Sequence, residues 1–160
     1  MHRIDGGCHC GNISLQLELA RLPRTYSPRA CDCAFCTKHG AAYISDPPGR
    51  LRIQILEGGH SRIYRQGSGM AECLLCANCG VLIGVLYRDS DGLYAAVNVK
   101  ATDRPADFGE QQTVSPRTLA ESDKVSRWKS LWFPNVIADL STVTAALTSG
   151  SSAPSSPQSP

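Results

Sequence analysis

The eight cysteines of this 160-residue chain fall into three tight clusters: "CHC" at 8–10, "CDCAFC" at 31–36 and "CLLCANC" at 73–79. No other feature constrains the fold as strongly. Small secreted domains stapled by disulfides spread their cysteines across distant loops and reach roughly 8–10% cysteine. Eight in 160 falls short of that density. The opening "MHRIDGGCHCG" also lacks the apolar core of a secretion signal, so a cytoplasmic, reducing setting is expected. There, clustered thiols are metal ligands before they are disulfides.

The spacings suit a metal. In an extended segment, residues i and i+2 share one face, so a Cys-x-Cys presents two sulfurs side by side. A Cys-x-x-Cys does the same around a tight turn, and in "CANCGVL" Gly80 supplies the residue that can leave that turn with positive φ. Structural zinc takes four such ligands, so eight cysteines would fill two sites. Spacing leaves the partition open. Cys8 and Cys10 could join Cys76 and Cys79, or two members of "CDCAFC". The first choice leaves Cys31, Cys33 and Cys36 as a set of three, the ligand count of a zinc with an exchangeable fourth position. Cys73 either closes that set or is an unrelated buried thiol.

Around the clusters the chain reads as β-structure. Ile13, Leu15, Leu17 and Leu19 alternate with polar residues, the mark of a half-buried strand. "LRIQILEG", Gly58-Gly59 and "SRIYRQG" are expected to form one hairpin. "VLIGVLYRDSDGLYAAVNV" is expected to form a second, turning at Asp91-Gly92. Another strand is expected in "TVSPRTLAES", an aromatic-bearing turn or short helix in "VSRWKSLWFPN", and a short helix in "ADLSTVTAAL". Trp128 and Trp132, four apart, would share a helix face and plug the edge of the core. The Ser/Pro-rich end, 148–160, is expected to be disordered. A net charge of +2 without a basic-aromatic stripe argues against nucleic acid, and no apolar run reaches membrane-spanning length.

"GGCHCGNISLQL", "CDCAFCTKHGA" and "CANCGVLIG", in this order, resemble the three signature segments of the glutathione-dependent formaldehyde-activating enzyme family, whose domain is shared with centromere protein V. The resemblance covers roughly residues 3 to 133, with "AESDKVSRWKSLWF" similar, more weakly, to the family's closing strand and tryptophan segment, and it leaves 134–147 as a C-terminal extension. It implies a mainly β, β-tent single domain built from antiparallel sheets, with two zinc ions. It implies that Cys8, Cys10, Cys76 and Cys79 hold a structural zinc. Cys31, Cys33 and Cys36 would then hold the second, open zinc, where the thiol of glutathione enters.

The activity so implied is that of a carbon–sulfur lyase or synthase. It joins a small thiol to an aldehyde such as formaldehyde, as in S-(hydroxymethyl)glutathione synthesis. Lys38, Arg50, Arg52, Arg62 and Arg65 are candidate cations for glutathione's carboxylates. His39 is a candidate fourth ligand or proton shuttle, while His9, Tyr43 and Tyr64 read as surface or packing residues. The competing reading is a non-catalytic module with two structural zincs, presenting a β-sheet to a protein partner. The two readings part on whether Cys73 or His39 completes the second set.

Overall fold

The computed structural model describes residues 1–145. In chain order the strands and helices are β1 (His2–Gly7), β2 (Ile13–Leu19), β3 (Arg29–Cys31), α1 (Ala34–Lys38), β4 (Ala42–Ile44), β5 (Arg50–Ile55) and β6 (Ser61–Tyr64). They continue with β7 (Glu72–Cys76), β8 (Leu82–Asp89), β9 (Gly92–Asn98), β10 (Gln112–Val114), α2 (Glu121–Leu131), β11 (Val136–Ala138) and β12 (Thr144–Ala145). They build a four-stranded sheet, β1-β2-β5-β11, and an eight-stranded one, β10-β3-β4-β9-β8-β7-β6-β12. Pairing is antiparallel except where β10, β11 and β12 join β3, β5 and β6. The chain is mainly β, as its alternations predict. No helix among the described residues is long and apolar enough to cross a membrane.

The small sheet follows directly from β2. Ile13, Leu15, Leu17 and Leu19 are each at most 1% exposed, and Leu51 and Ile53 of β5 join them in the core. Each such side chain contributes about 1.5–3 kcal/mol relative to exposure. The large sheet carries apolar side chains on both faces. Leu74, Cys76, Ile83, Leu86, Ala95 and Val97 pack with the small sheet's leucines. Cys73, Leu82, Val85 and Ala96 belong to a second cluster with Trp128 and Trp132. A β-bulge sets this division: Leu74 pairs with Gly84 but Leu75 with Leu82, leaving Ile83 as the extra residue. Leu82 and Val85 therefore share a face although they are three positions apart.

Three expectations need correction. The first hairpin does not form, because β5 pairs with β2 and β11 while β6 pairs with β7 and β12. The buried Asn12 explains the crossing from sheet to sheet. Its side chain accepts from the Glu57 N–H (2.9 Å) and donates to the Glu57 carbonyl (3.2 Å) and the Ser61 hydroxyl (3.1 Å). The connection's polar groups are thus satisfied without strand pairing.

The second hairpin does form, but Asp89 pairs with Gly92, so its turn is Ser90-Asp91, one residue earlier than expected. The described part of "ADLSTVTAAL" is not helical. Val136–Ala138 is a strand on β5, and the Asp139 carboxylate takes the Ser141 N–H (3.0 Å) in a local turn that competes with a helix. The rest of that segment, and the tail 148–160, lie outside the described residues.

The aromatic segment is the end of α2, with the Trp128 and Trp132 rings stacked at 5.1 Å. Lys129 ties α2 to the β8–β9 hairpin through Asp89 (2.6 Å) and Asp91 (3.0 Å). Phe133, fully buried, exchanges backbone hydrogen bonds with Ala95 on the large sheet. Phe133→Ala is expected to cost about 3–5 kcal/mol, read as a lowered denaturant midpoint with little change in slope.

Candidate metal centres and the cavity beside the second

Cys8 and Cys10 lie on the turn between β1 and β2, not on an extended segment as their spacing suggests. The Gly11 N–H closes that turn on the Cys8 carbonyl (3.2 Å), and the Ile13 N–H donates to Cys8 Sγ (3.2 Å). Cys76 ends β7, and the turn to Cys79 is closed by Gly80 N–H to the Cys76 carbonyl (2.8 Å). Gly80 leaves that turn at φ 80°, as a residue without Cβ can.

The four sulfurs lie within 4.8 Å of one another, with Cys8–Cys10 at 3.6 Å and Cys10–Cys76 at 3.5 Å. Tetrahedral thiolates around an ion at a Zn–S bond length of about 2.3 Å would stand roughly 3.8 Å apart. Disulfide sulfurs stand at about 2.05 Å. The spacing fits a metal site and no disulfide. Hydrogen bonds from the Asn78 side chain and the Asn12 backbone lower Cys10 to about 6, while burial raises Cys76 to about 12. Four thiolates this close need a cation before all can ionise.

Cys31, Cys33 and Cys36 form the second group, also within 4.8 Å. Cys31 ends β3, and Cys33 is the N-cap of α1, its sulfur accepting the Cys36 N–H (3.4 Å). Gly40, at φ 57°, lets the Ala41 N–H return to the Cys36 carbonyl (2.9 Å), ending the helix in one turn. The pairing with Cys36 lowers Cys31 to about 6, and the same pairing, with burial, pushes Cys36 far up. Tyr43, expected only to pack on the sheet, is buried and hydrogen-bonds Cys36 Sγ through its hydroxyl (3.2 Å).

Neither candidate fourth ligand stands in this group. On β7, side chains alternate, so Leu74 and Cys76 face the shared core and Cys73 faces the other way. Cys73 is 3% exposed and joins the row Tyr64–Cys73–Val85–Ala96 across four strands. Burial, with the Cys33 and Cys31 charges added, raises it to about 12, which favours the neutral thiol. His39 caps α1, exposed, with its ring 4.7 Å from that of Phe35. His9 is exposed between its neighbours.

Beside the second group opens a cavity of about 160 Å³. Cys31, Cys33, Cys36 and Cys73 line it, with Val85 and Ala96 from the sheet and Trp128 and Trp132 from the end of α2. Its cations are Arg29, Arg117, Lys124 and Arg127, not those expected from the sequence. Arg50 instead faces Glu18 (3.9 Å), Arg65 pairs with Glu72, and Lys38, Arg52 and Arg62 are exposed elsewhere.

The true set carried a readable signal. Arg29 shares a strand face with Cys31, and Lys124, Arg127 and Trp128 share a helix face. Arg117 and Ser115 hold Asp32, between two cysteines of the group, at 3.2 and 2.6 Å. Burial, with the Arg127 charge added, lowers Arg29 to about 10.

A family model described as glutathione-dependent formaldehyde-activating enzyme matches residues 3–118. The crystal structure of a Rhodobacter sphaeroides protein is similar at 27% identity and a TM-score of 0.51, the match covering 69% of this chain and 100% of that one. No curated protein matches the chain.

The positions of the sulfurs predict different outcomes for two conservative variants. Cys73→Ser should keep the parent's metal content, whereas Cys76→Ser should lose at least one ion per chain, measured by elemental analysis of the purified proteins.

Proposed function

The chain belongs to the glutathione-dependent formaldehyde-activating enzyme family, and we propose that it is a zinc-dependent carbon–sulfur lyase or synthase joining glutathione to an aldehyde such as formaldehyde. The observation that carries this reading is the three-cysteine group at the wall of a cation-lined cavity, one ligand short of a closed site. An all-sulfur donor set suits zinc. On this reading Cys8, Cys10, Cys76 and Cys79 hold a structural zinc, and Cys31, Cys33 and Cys36 a second one with its fourth position toward the cavity. The working unit then runs over residues 3–133, because α2, beyond the family match, supplies part of the cavity wall.

A zinc ion held there lowers the pKa of a thiol that reaches it and so supplies the nucleophilic thiolate at neutral pH. The chain's own residues do the rest. Tyr43 orients Cys36 through the hydroxyl–sulfur hydrogen bond. Trp128 and Trp132 keep the wall apolar and exclude water. The cations draw in an anionic thiol, and holding thiol and aldehyde together removes much of the entropic barrier. In the reaction the thiol sulfur bonds to the carbonyl carbon, the carbon–oxygen double bond becomes single, and the thiol proton ends on that oxygen. The product is an S-hydroxyalkyl thioether. Run backward, the same step breaks the carbon–sulfur bond.

A non-catalytic module with two closed metal sites would need a fourth protein ligand at the second group. Among the described residues neither Cys73 nor His39 joins it.

Zinc analysis and glutathione titration of the parent and Cys36→Ala test the reading together. Two zincs per parent chain, with thiol binding lost in the variant, are expected. Equal glutathione affinity in both proteins, or none in either, rules the reading out. Removing metal with a strong chelator should also unfold the domain, seen as loss of the β-sheet circular dichroism signal, because the four-sulfur site joins the two sheets.

A further inference from the structure

The family match ends at residue 118, yet α2 and its C-terminal cap give the cavity Lys124, Arg127, Trp128 and Trp132. The charges at this cavity do not balance within the protein. Arg117 is met by Asp32 at 3.2 Å. Arg29, Lys124 and Arg127 have no carboxylate within 4.0 Å among the described residues.

Arg29, itself half-buried, makes one side-chain hydrogen bond among the described residues, to the neutral hydroxyl of Ser45 (2.5 Å). Ser45 in turn donates to the carbonyl of Leu131, the last residue of α2 (2.7 Å). The guanidinium is thereby fixed toward the end of α2 while most of its five donors stay free. Two guanidiniums and an ammonium around one partly apolar cavity repel each other, and the low-dielectric wall strengthens that repulsion. An anionic ligand relieves it.

We propose that Arg29 and Arg127 form a carboxylate clamp, built onto the thiol site by α2, that selects an acidic thiol over neutral thiols of similar size. The inference rests on the reading of this cavity as the thiol site. The two-donor edges of a planar guanidinium match a carboxylate, and Lys124 adds a point charge. Val85, Ala96 and Trp128 line the same cavity as the cysteine group and the two arginines, and would take the ligand's apolar stem. A neutral thiol would reach the cysteines and leave the cations unmet. The resulting discrimination is the strong kind, because it depends on unpaired polar groups and not on a missing methylene.

The test uses the zinc-loaded full chain, its Arg127→Gln and Arg127→Lys variants, and calorimetric titration with three probes. The probes are glutathione, glutathione diethyl ester, and S-methylglutathione, which keeps both carboxylates but has no free thiol. Unchanged zinc content and thermal midpoint confirm that the variants fold.

The parent should bind glutathione at least about tenfold tighter than the diester. Arg127→Gln should weaken glutathione about tenfold and leave the diester unchanged or slightly tighter, with Arg127→Lys in between. S-methylglutathione should bind the parent more weakly than glutathione and suffer the same loss in Arg127→Gln. Equal parent affinity for acid and diester, or an equal loss of both in the variant, overturns the clamp. If S-methylglutathione matches glutathione in the parent while Arg127→Gln weakens both, the clamp stands and the thiol reading fails. No binding of any probe to the parent overturns both.

Discussion

Four sulfurs gather where the two sheets meet. Apolar packing between sheets is strong but non-directional, so leucines alone would let the small sheet shift over the large one. Cys8 and Cys10 at the β1–β2 turn gather with Cys76 and Cys79 at the end of β7, and an ion held among them would remove that freedom at one edge. The buried Asn12 helps at the same edge by holding the connection between β5 and β6. Once Cys76 must face the small sheet, strand alternation dictates the rest of β7. Leu74 enters the shared core, and Cys73 is turned to the opposite face.

That opposite face is where the second cysteine group sits, and it is enclosed differently. Among the described residues no second sheet covers it. Instead α1 carries Cys36 against the sheet, the loop after β10 is pinned over Asp32, and α2 brings its tryptophans onto Val85 and Ala96. Single helices and loops leave gaps that a sheet-on-sheet contact does not. The cavity is therefore a consequence of the architecture, and the Lys129 contacts to the β8–β9 hairpin keep its helical wall in place.

Legibility in the sequence followed the reach of each interaction. β2 and the β8–β9 hairpin were readable because alternation and turn chemistry are local. The pairing of cysteine clusters is long-range and emerged only through the family resemblance. β1 was missed because "HRIDGG" offers one apolar side chain, Ile4, to the core; its partner β2 recruits it. α1 was missed because five residues hold too little of a helical period. The hairpin reading of β5 and β6 failed where two good strands in sequence belong to different sheets. The cavity's cations differ from those expected because a strand-face arginine carries no mark of which face the fold encloses. Arg29, two residues before Cys31, and the spacing of Lys124, Arg127 and Trp128 held the information once α2 was known.

The charges of the two groups give a reason for keeping them on opposite faces. Four thiolates around a divalent ion carry two negative charges. Such a set wants backbone N–H donors, and the turns at Gly11 and Gly80 bring those of Asn12, Ile13, Asn78 and Val81 to its sulfurs. Three thiolates around a divalent ion carry one negative charge, and this is the group placed beside Arg29, Lys124 and Arg127. The second face is then electropositive before any ligand arrives. An incoming thiolate that also bears carboxylates lowers the electrostatic energy of the cavity, whereas a neutral thiol does not. The same cations placed beside the four-sulfur set would draw on its thiolates and weaken the joint between the sheets. On the proposed reading, separating the groups lets a four-thiolate site be tuned for permanence and a three-thiolate site for exchange.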